Sequence, residues 1–264
     1  STTEIFKQKL KTSYCGYSIS KQYSREKSIV ERRNQLKIHG FEKVIHFEPR
    51  ELEPNWARKN NHQRKSLSIH WVIPHFTPGL GGHMTIFRTI EFLERCGHQC
   101  TIWIHSELKG KDKPSRLSSL HKSIIEQHFL PLKTDQIYVL GNNQADLDRI
   151  SGDIVIATDR MSTYPVLAMR KFRKRFYFVQ DYEPYFFAKG TSSILTEYAY
   201  ASENDFACIC ASPWLKERME SFGKEAISFP LAVDHSVYNT TLNKKPKHNT
   251  IAFYVRRSTP RRLY

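Results

Sequence analysis

The 264-residue sequence predicts an α/β fold in which a parallel sheet is covered by helices on both faces. Three observations carry that prediction. Short apolar runs such as Ile154-Val155-Ile156 and Phe176-Tyr177-Phe178-Val179 do not alternate with polar residues, the pattern of strands buried on both faces. Helical patterns separate these runs in repeated β-then-α order. The first run is followed by a glycine-rich turn opening onto a helix, where such sheets meet anions and sugar phosphates.

Ile69, Trp71, Val72 and Ile73 form a run too short for a helix and stopped by Pro74, which predicts the first strand. The loop 74–83 carries Pro78, Gly79, Gly81 and Gly82, and Met84, Phe87, Ile90, Phe92 and Leu93 then recur at helical spacing up to Gly97. Further strands are expected at 100–104, 136–140, 153–158, 175–180, 206–211 and 226–229. Helices are expected near 115–129, 144–150, 163–172, 193–202 and 213–222. Residues 66–232 thus read as one domain. Residues 1–65 read as a basic extension, partly helical over 21–39, where Ile29, Val30, Leu36 and Ile38 recur, and residues 49–65 as a polar loop. Residues 233–249 read as a linker. The run Ile251-Ala252-Phe253-Tyr254-Val255 then starts a second α/β domain that is cut short at Tyr264, since a lone strand cannot bury its two faces.

Composition excludes several classes. Hydrophobic residues make up 39% and aromatics 12%, as in a globular chain. No apolar run approaches the ~18 residues of a membrane span, and residues 1–10 lack the apolar core of a secretion leader. Among the five cysteines, Cys96 and Cys100 bracket a turn and Cys208 and Cys210 alternate in a strand, but neither pair has a second half to complete a zinc site, so the expectation is reduced thiols, a cytoplasmic chain and no metal. The net charge is +15, of which residues 1–65 carry +8 and residues 244–264 carry +7, leaving the centre balanced. No RRM, KH, helix-turn-helix or zinc-finger pattern accompanies the basicity, so nucleic acid is not an expected partner. The basic flanks suit peripheral contact with the anionic inner face of a membrane.

Candidate site residues fall just after the expected strands, at one rim. Gly79-x-Gly81-Gly82 departs from the dinucleotide fingerprint, and His105 and Ser106 stand where that fingerprint wants an acid, so no nicotinamide or flavin cofactor is expected. The loop is either an anion cradle or a turn that needs small residues. His83 beside it is either catalytic or a capping residue. Thr158-Asp159-Arg160 follows another strand, with Asp159 a ligand for substrate or a cap for the next helix. Asp181-Tyr182-Glu183-Pro184 follows a third; its carboxylates would bind sugar hydroxyls or act as a base and Tyr182, Tyr185 and Phe186 would offer an apolar platform to a 6-deoxy sugar face, or Glu183 would cap a helix while the aromatics pack inside. Trp214, spaced with Leu215 and Met219, reads as core.

Seven blocks in order carry a resemblance: Trp71-Val72-Ile73-Pro74, PGLGGHMTIFR at 78–88, GHQCTIWI at 97–104, FVQDYEP at 178–184, CASPWL at 210–215, FPLAVDHSVY at 229–238 and FYVRRSTPRR at 253–262. Over roughly residues 40–264 the chain resembles rhamnosyltransferases of the WsaF type, GT-B enzymes related to glycosyltransferase family 4. The resemblance implies two Rossmann-like domains across a cleft, the N-terminal one binding a growing glycan acceptor, lipid-linked or free, and the C-terminal one a nucleotide-sugar donor such as dTDP-rhamnose. It implies no obligatory metal or other cofactor. For such a transfer the residues themselves suggest catalysis by Asp181, Glu183 and His83, donor binding by Gly81, Gly82, Arg256 and Arg257, and acceptor binding by Asp159, Tyr182 and Tyr185. The arginines would grip the donor phosphates with their bidentate forks. With most of the donor lobe beyond Tyr264, the chain by itself is expected to be incomplete for catalysis. The alternative is a non-catalytic carbohydrate- or partner-binding module that docks on a separate donor-binding subunit.

Overall fold

The computed structural model describes residues 47–54, 56, 65–76, 78–105, 115–116, 119–141, 143–201 and 203–233. The extension's helical stretch at 21–39, the linker, the strand at 250–255 and the residues Arg256 and Arg257 lie outside the described residues.

The expected α/β architecture is present. In chain order the elements are β1 (Ser68–Pro74), α1 (Gly81–Arg95), β2 (Gln99–His105), β3 (Ser115–Arg116), α2 (Ser119–His128), β4 (Ile137–Val139), α3 (Gln144–Leu147), β5 (Ile154–Ala157), α4 (Thr163–Ala168), β6 (Lys174–Val179), a 3-10 turn (Glu183–Phe186), α5 (Thr191–Tyr198), β7 (Ala207–Cys210), α6 (Pro213–Glu220) and β8 (Ala226–Ser228). They build an eight-stranded sheet in the order β3-β4-β2-β1-β5-β6-β7-β8. All neighbours pair in parallel except β3, which runs antiparallel to β4.

Both faces of the sheet are buried, as non-alternating strands require. Ile69, Trp71 and Ile73 of β1, with Cys100, Ile102 and Ile104 of β2, pack against Ile86, Phe87 and Ile90 of α1 and Ile125 of α2. Trp71 meets Phe178 of β6 edge-on at 5.7 Å. On the opposite face His70, Val72, Trp103, Val155 and Tyr177 are buried in turn. There the Trp103 indole donates to His70 Nδ1 at 2.9 Å, and Phe172 meets the His70 ring at 5.2 Å. Burial pushes the His70 imidazole down to about 4, against the opposing pull of Asp153.

Residues 47–56 fasten the amino ends of the strands. The Arg50 and Glu53 amides donate to the Leu167 and Arg170 carbonyls at 3.0 and 2.9 Å. The buried Arg175 guanidinium donates back to the carbonyls of Arg50 and Met169 at 2.7 and 2.6 Å. This end is tied down by main-chain hydrogen bonds, which leaves the carboxyl end as the open rim.

Three element boundaries differ from expectation. The helix expected from 115 is preceded by the short strand β3 and begins at Ser119. The helix expected to 172 ends at Ala168, because Met169 turns extended at φ −75°, ψ 127° and gives its carbonyl to Arg175. The helix expected over 193–202 runs from Thr191 to Tyr198.

Candidate functional site

A cleft of about 860 Å³ opens at the carboxyl ends of the strands. Its position follows from topology. The chain leaves β1 toward β2 on one side and returns to β5 on the other, so the loops after β1 and β5 part and leave a crevice where parallel sheets take ligands. The loop after β1 supplies Pro74, His75, Gly81, Gly82 and His83, β2 supplies His105, the loop after β5 supplies Thr158 to Met161, and the segment after β6 supplies Gln180, Asp181, Glu183 and Phe186.

The glycine loop meets the cleft through the start of α1. Gly79 adopts φ +82°, a left-handed turn that reverses the chain toward the helix. Leu80 at the N-cap supplies no side-chain acceptor, so the first amides of α1 look for partners outside the helix. A Cβ on Gly81 would meet nothing within 4 Å, and one on Gly82 would meet the Gln180 amide at 3.5 Å. The glycines are therefore not demanded by packing, and the absent side chains leave the helix terminus open to the cleft.

His83 sits one residue further on, buried, its Nε2–H donating to the Pro74 carbonyl at 3.2 Å. Burial lowers its pKa against the raising effects of that carbonyl and of Asp159, so the ring is a neutral imidazole with Nδ1 as acceptor. His105, at the end of β2, lies across from Asp159, and its Nε2 donates to Asp159 Oδ1 at 2.9 Å. Asp159 also accepts from the Met161 and Ser162 amides at 3.3 and 3.0 Å, while Ser162 Oγ accepts from the Thr158 and Asp159 amides at 2.9 and 3.0 Å. Burial works to raise the Asp159 pKa, but the charge and hydrogen bond of His105, with Arg160 and Ser162, hold it below the usual carboxylate range. The capping and site readings of Asp159 thus meet in one side chain. Its oxygens are engaged by the protein, so it orients His105 where the sequence suggested direct contact with an acceptor.

Glu183 reaches the same cleft from the 3-10 turn. Both carboxylate oxygens accept from the Arg160 amide at 3.2 Å, and Oε1 accepts from the Tyr177 hydroxyl at 3.0 Å. Arg160 Nη1 approaches Oε2 at 3.4 Å, with its guanidinium 4.8 Å over the Phe187 ring. Burial first, then the charge of Asp159, pushes the Glu183 carboxyl up to about 7. Two buried carboxylates in one cleft thereby carry different protonation states: Asp159 is anionic, and Glu183 titrates near neutrality. Asp181 lines the cleft with Oδ1 accepting from the Tyr182 amide at 2.8 Å.

Of the residues singled out in the sequence, Gly81, Gly82, His83, Asp159, Asp181 and Glu183 share this cleft. Tyr182 does not. It is 2% exposed, its hydroxyl donates to Glu197 at 2.6 Å and accepts from Arg218 at 3.1 Å, and its ring stacks on Tyr200 at 5.5 Å. An acceptor role for the Tyr182 ring is replaced by a structural one, because an aromatic beside a proline-started turn falls inward onto α6. Tyr185 stands half exposed on the rim next to it. Trp214, expected in the core, is 51% exposed: it is the second residue of α6, and that helix buries Leu215 and Met219 instead. Arg256 and Arg257 lie outside the described residues.

Sequence reading named Arg160 only as part of the Thr158-Asp159-Arg160 motif and gave His105 and Gln180 no role in the site. His105 ends β2 and Gln180 directly follows β6, so the signal was position at a strand end. What the sequence could not supply was the pairing of His105 with Asp159 across 54 residues. Among the described residues, no group of three or more His, Cys, Asp or Glu side chains is arranged to share a metal ion. None of the described helices is long and apolar enough to cross a membrane.

No protein-family model matches the chain. Over 190 residues, 70% of this chain, it is 27% identical to a Myxococcus xanthus protein named O-antigen biosynthesis protein RfbC, of whose length the match covers 14%. The chain spans a small part of that relative, and what the two share is a distant sequence similarity.

Proposed function

We propose that the chain is the acceptor-binding lobe of a glycosyltransferase in glycan biosynthesis, moving a sugar, in the first instance rhamnose from dTDP-rhamnose, onto a growing bacterial surface glycan. The observation that carries this reading is the His105–Asp159 pair inside a polar cleft whose other wall is an uncapped helix N-terminus. The similarity to a protein named for O-antigen biosynthesis supports the substrate class.

The chemistry follows from the groups present. Glycosyl transfer needs a hydroxyl made nucleophilic and a diphosphate stabilised as it leaves. His105 gives Nε2–H to the anionic Asp159, which leaves Nδ1 as the proton-accepting atom and stabilises the imidazolium formed when the acceptor hydroxyl loses its proton. The amides at Gly81 and Gly82, at the positive end of α1, favour the negative charge that develops on the leaving diphosphate. Glu183, protonated through part of the neutral range, donates a hydrogen bond to a sugar oxygen, and Asp181 accepts one. Binding of the donor phosphates is assigned to Arg256 and Arg257, on the sequence alone.

The test is transfer of radiolabelled rhamnose from dTDP-rhamnose to polysaccharide fragments, using the product of the whole reading frame that contains this chain. A His105→Ala variant is expected to lose about 10²- to 10⁴-fold in kcat, the range of a general base. Absence of transfer from every nucleotide-activated deoxyhexose by the unaltered protein overturns the enzyme reading. Glycan binding without transfer then favours the docking module.

A further inference from the structure

The rim beside the cleft presents two large aromatic rings that the fold leaves half exposed. Tyr185 is 50% exposed and Trp214 51%, although Tyr177, Tyr182 and Tyr200 of the same cluster are each 2% exposed or less. Both exposed rings stand edge-on to the buried Tyr182, at 4.8 and 6.4 Å between centroids and with interplanar angles of 82° and 88°. Tyr182 is a rigid base for them. Its hydroxyl is held between Glu197 and Arg218, and the Arg218 guanidinium lies 4.7 Å over its ring and 5.2 Å over Phe222. The strip is continuous with the cleft, because Phe186, the neighbour of Tyr185, lines it.

We propose that Tyr185 and Trp214 form a stacking platform for the sugars of the acceptor chain behind the residue that reacts. The inference rests on the glycan-transfer reading and adds to it a second subsite outside the reaction centre. A sugar ring offers a face of C–H bonds and an edge of hydroxyls. An aromatic face takes the former, and the Glu197 carboxylate and Arg218 guanidinium alongside can take the latter. Rings held on a pinned base give contact area at little entropic cost, as tyrosine and tryptophan do in other recognition surfaces. A protein partner fits less well. A stable protein interface removes roughly 800 Å² from each side, far more than two side chains present. The platform therefore selects acceptors by length: sugars beyond the cleft gain from it, and a single sugar does not.

The experiment uses the full 264-residue chain and oligosaccharides of one to eight residues, released by mild acid from the surface polysaccharide of the producing cell. Binding is followed by calorimetry and by tryptophan fluorescence, to which Trp214 contributes the strongly exposed indole while Trp71 and Trp103 are buried. Affinity is expected to rise with chain length. Trp214→Ala should weaken the longer fragments about tenfold, the scale of one lost aromatic contact, and leave the monosaccharide unchanged; Tyr185→Ala should weaken the longer fragments by a similar factor, and Trp214→Tyr should restore most of the loss. Variants that bind long fragments as tightly as the unaltered chain overturn the platform and leave the glycan reading intact. Failure of the unaltered chain to bind any fragment overturns both. A Trp214→Ala change that instead alters the sedimentation of the chain assigns the strip to a second copy and overturns the platform.

Discussion

Replacing Glu183 by Gln should flatten the pH dependence of stability. The Glu183 side chain is buried among Tyr177, Arg160 and the carboxylate of Asp159, and its pKa is pushed up from 4.5 to about 7, by burial first and then by Asp159. An acid whose folded pKa lies above its unfolded one holds its proton more tightly when folded, so stability is full below the unfolded value and is lost as pH rises to the folded one. With each unit worth about 1.4 kcal/mol, ionising Glu183 removes about 3 kcal/mol between pH 4.5 and pH 8. Gln retains an oxygen to accept from the Arg160 amide and the Tyr177 hydroxyl, so the variant keeps most of the hydrogen bonding while losing the titration. His70 and His83, both lowered by burial, bend the profile the opposite way in both proteins and cancel in the difference. Urea unfolding at half-unit intervals over this range measures that difference. A gap in favour of the variant that opens by about 3 kcal/mol toward pH 8 supports the reasoning, and parallel profiles refute it.

Two further outcomes follow from the packing and the loop. Trp71→Ala empties a fully buried site between α1 and β6 and should destabilise the fold by about 3–5 kcal/mol; a loss under about 1 kcal/mol in the same denaturation assay contradicts the described core. Gly81→Ala adds a Cβ with nothing within 4 Å of it and removes backbone freedom, so stability should rise by about 0.5–1 kcal/mol while sugar transfer falls. A variant that gains stability and transfers sugar at the unaltered rate removes Gly81 from the site.

The fold was legible because its cause is local. Trp71 to Ile73 and Phe176 to Val179 are apolar at every position, and only a strand covered on both faces can use that pattern, so the seven parallel strands and their alternation with helices follow from reading along the chain, while the short antiparallel β3 does not. Boundaries were less legible. Helix α4 stops at Ala168 because Arg175, already placed by β6 and by the segment at Arg50, takes the Met169 carbonyl, and nothing within 163–172 announces that distant donor.

The site divides in the same way. That Gly81, Asp159 and Asp181 lie on one rim follows from each standing just after a strand, since the strand ends of a parallel sheet meet whatever separates them in sequence. The sequence alone also located the charge in the flanks and left the sheet neutral. Only the tertiary structure decided that Tyr182 is a buried support and Trp214 an exposed ring, that His105 faces Asp159, and that Glu183 titrates near neutrality. The physical reason is that burial, charge proximity and hydrogen-bond partnership are properties of pairs of residues brought together by packing, and no single segment contains both members of the pair.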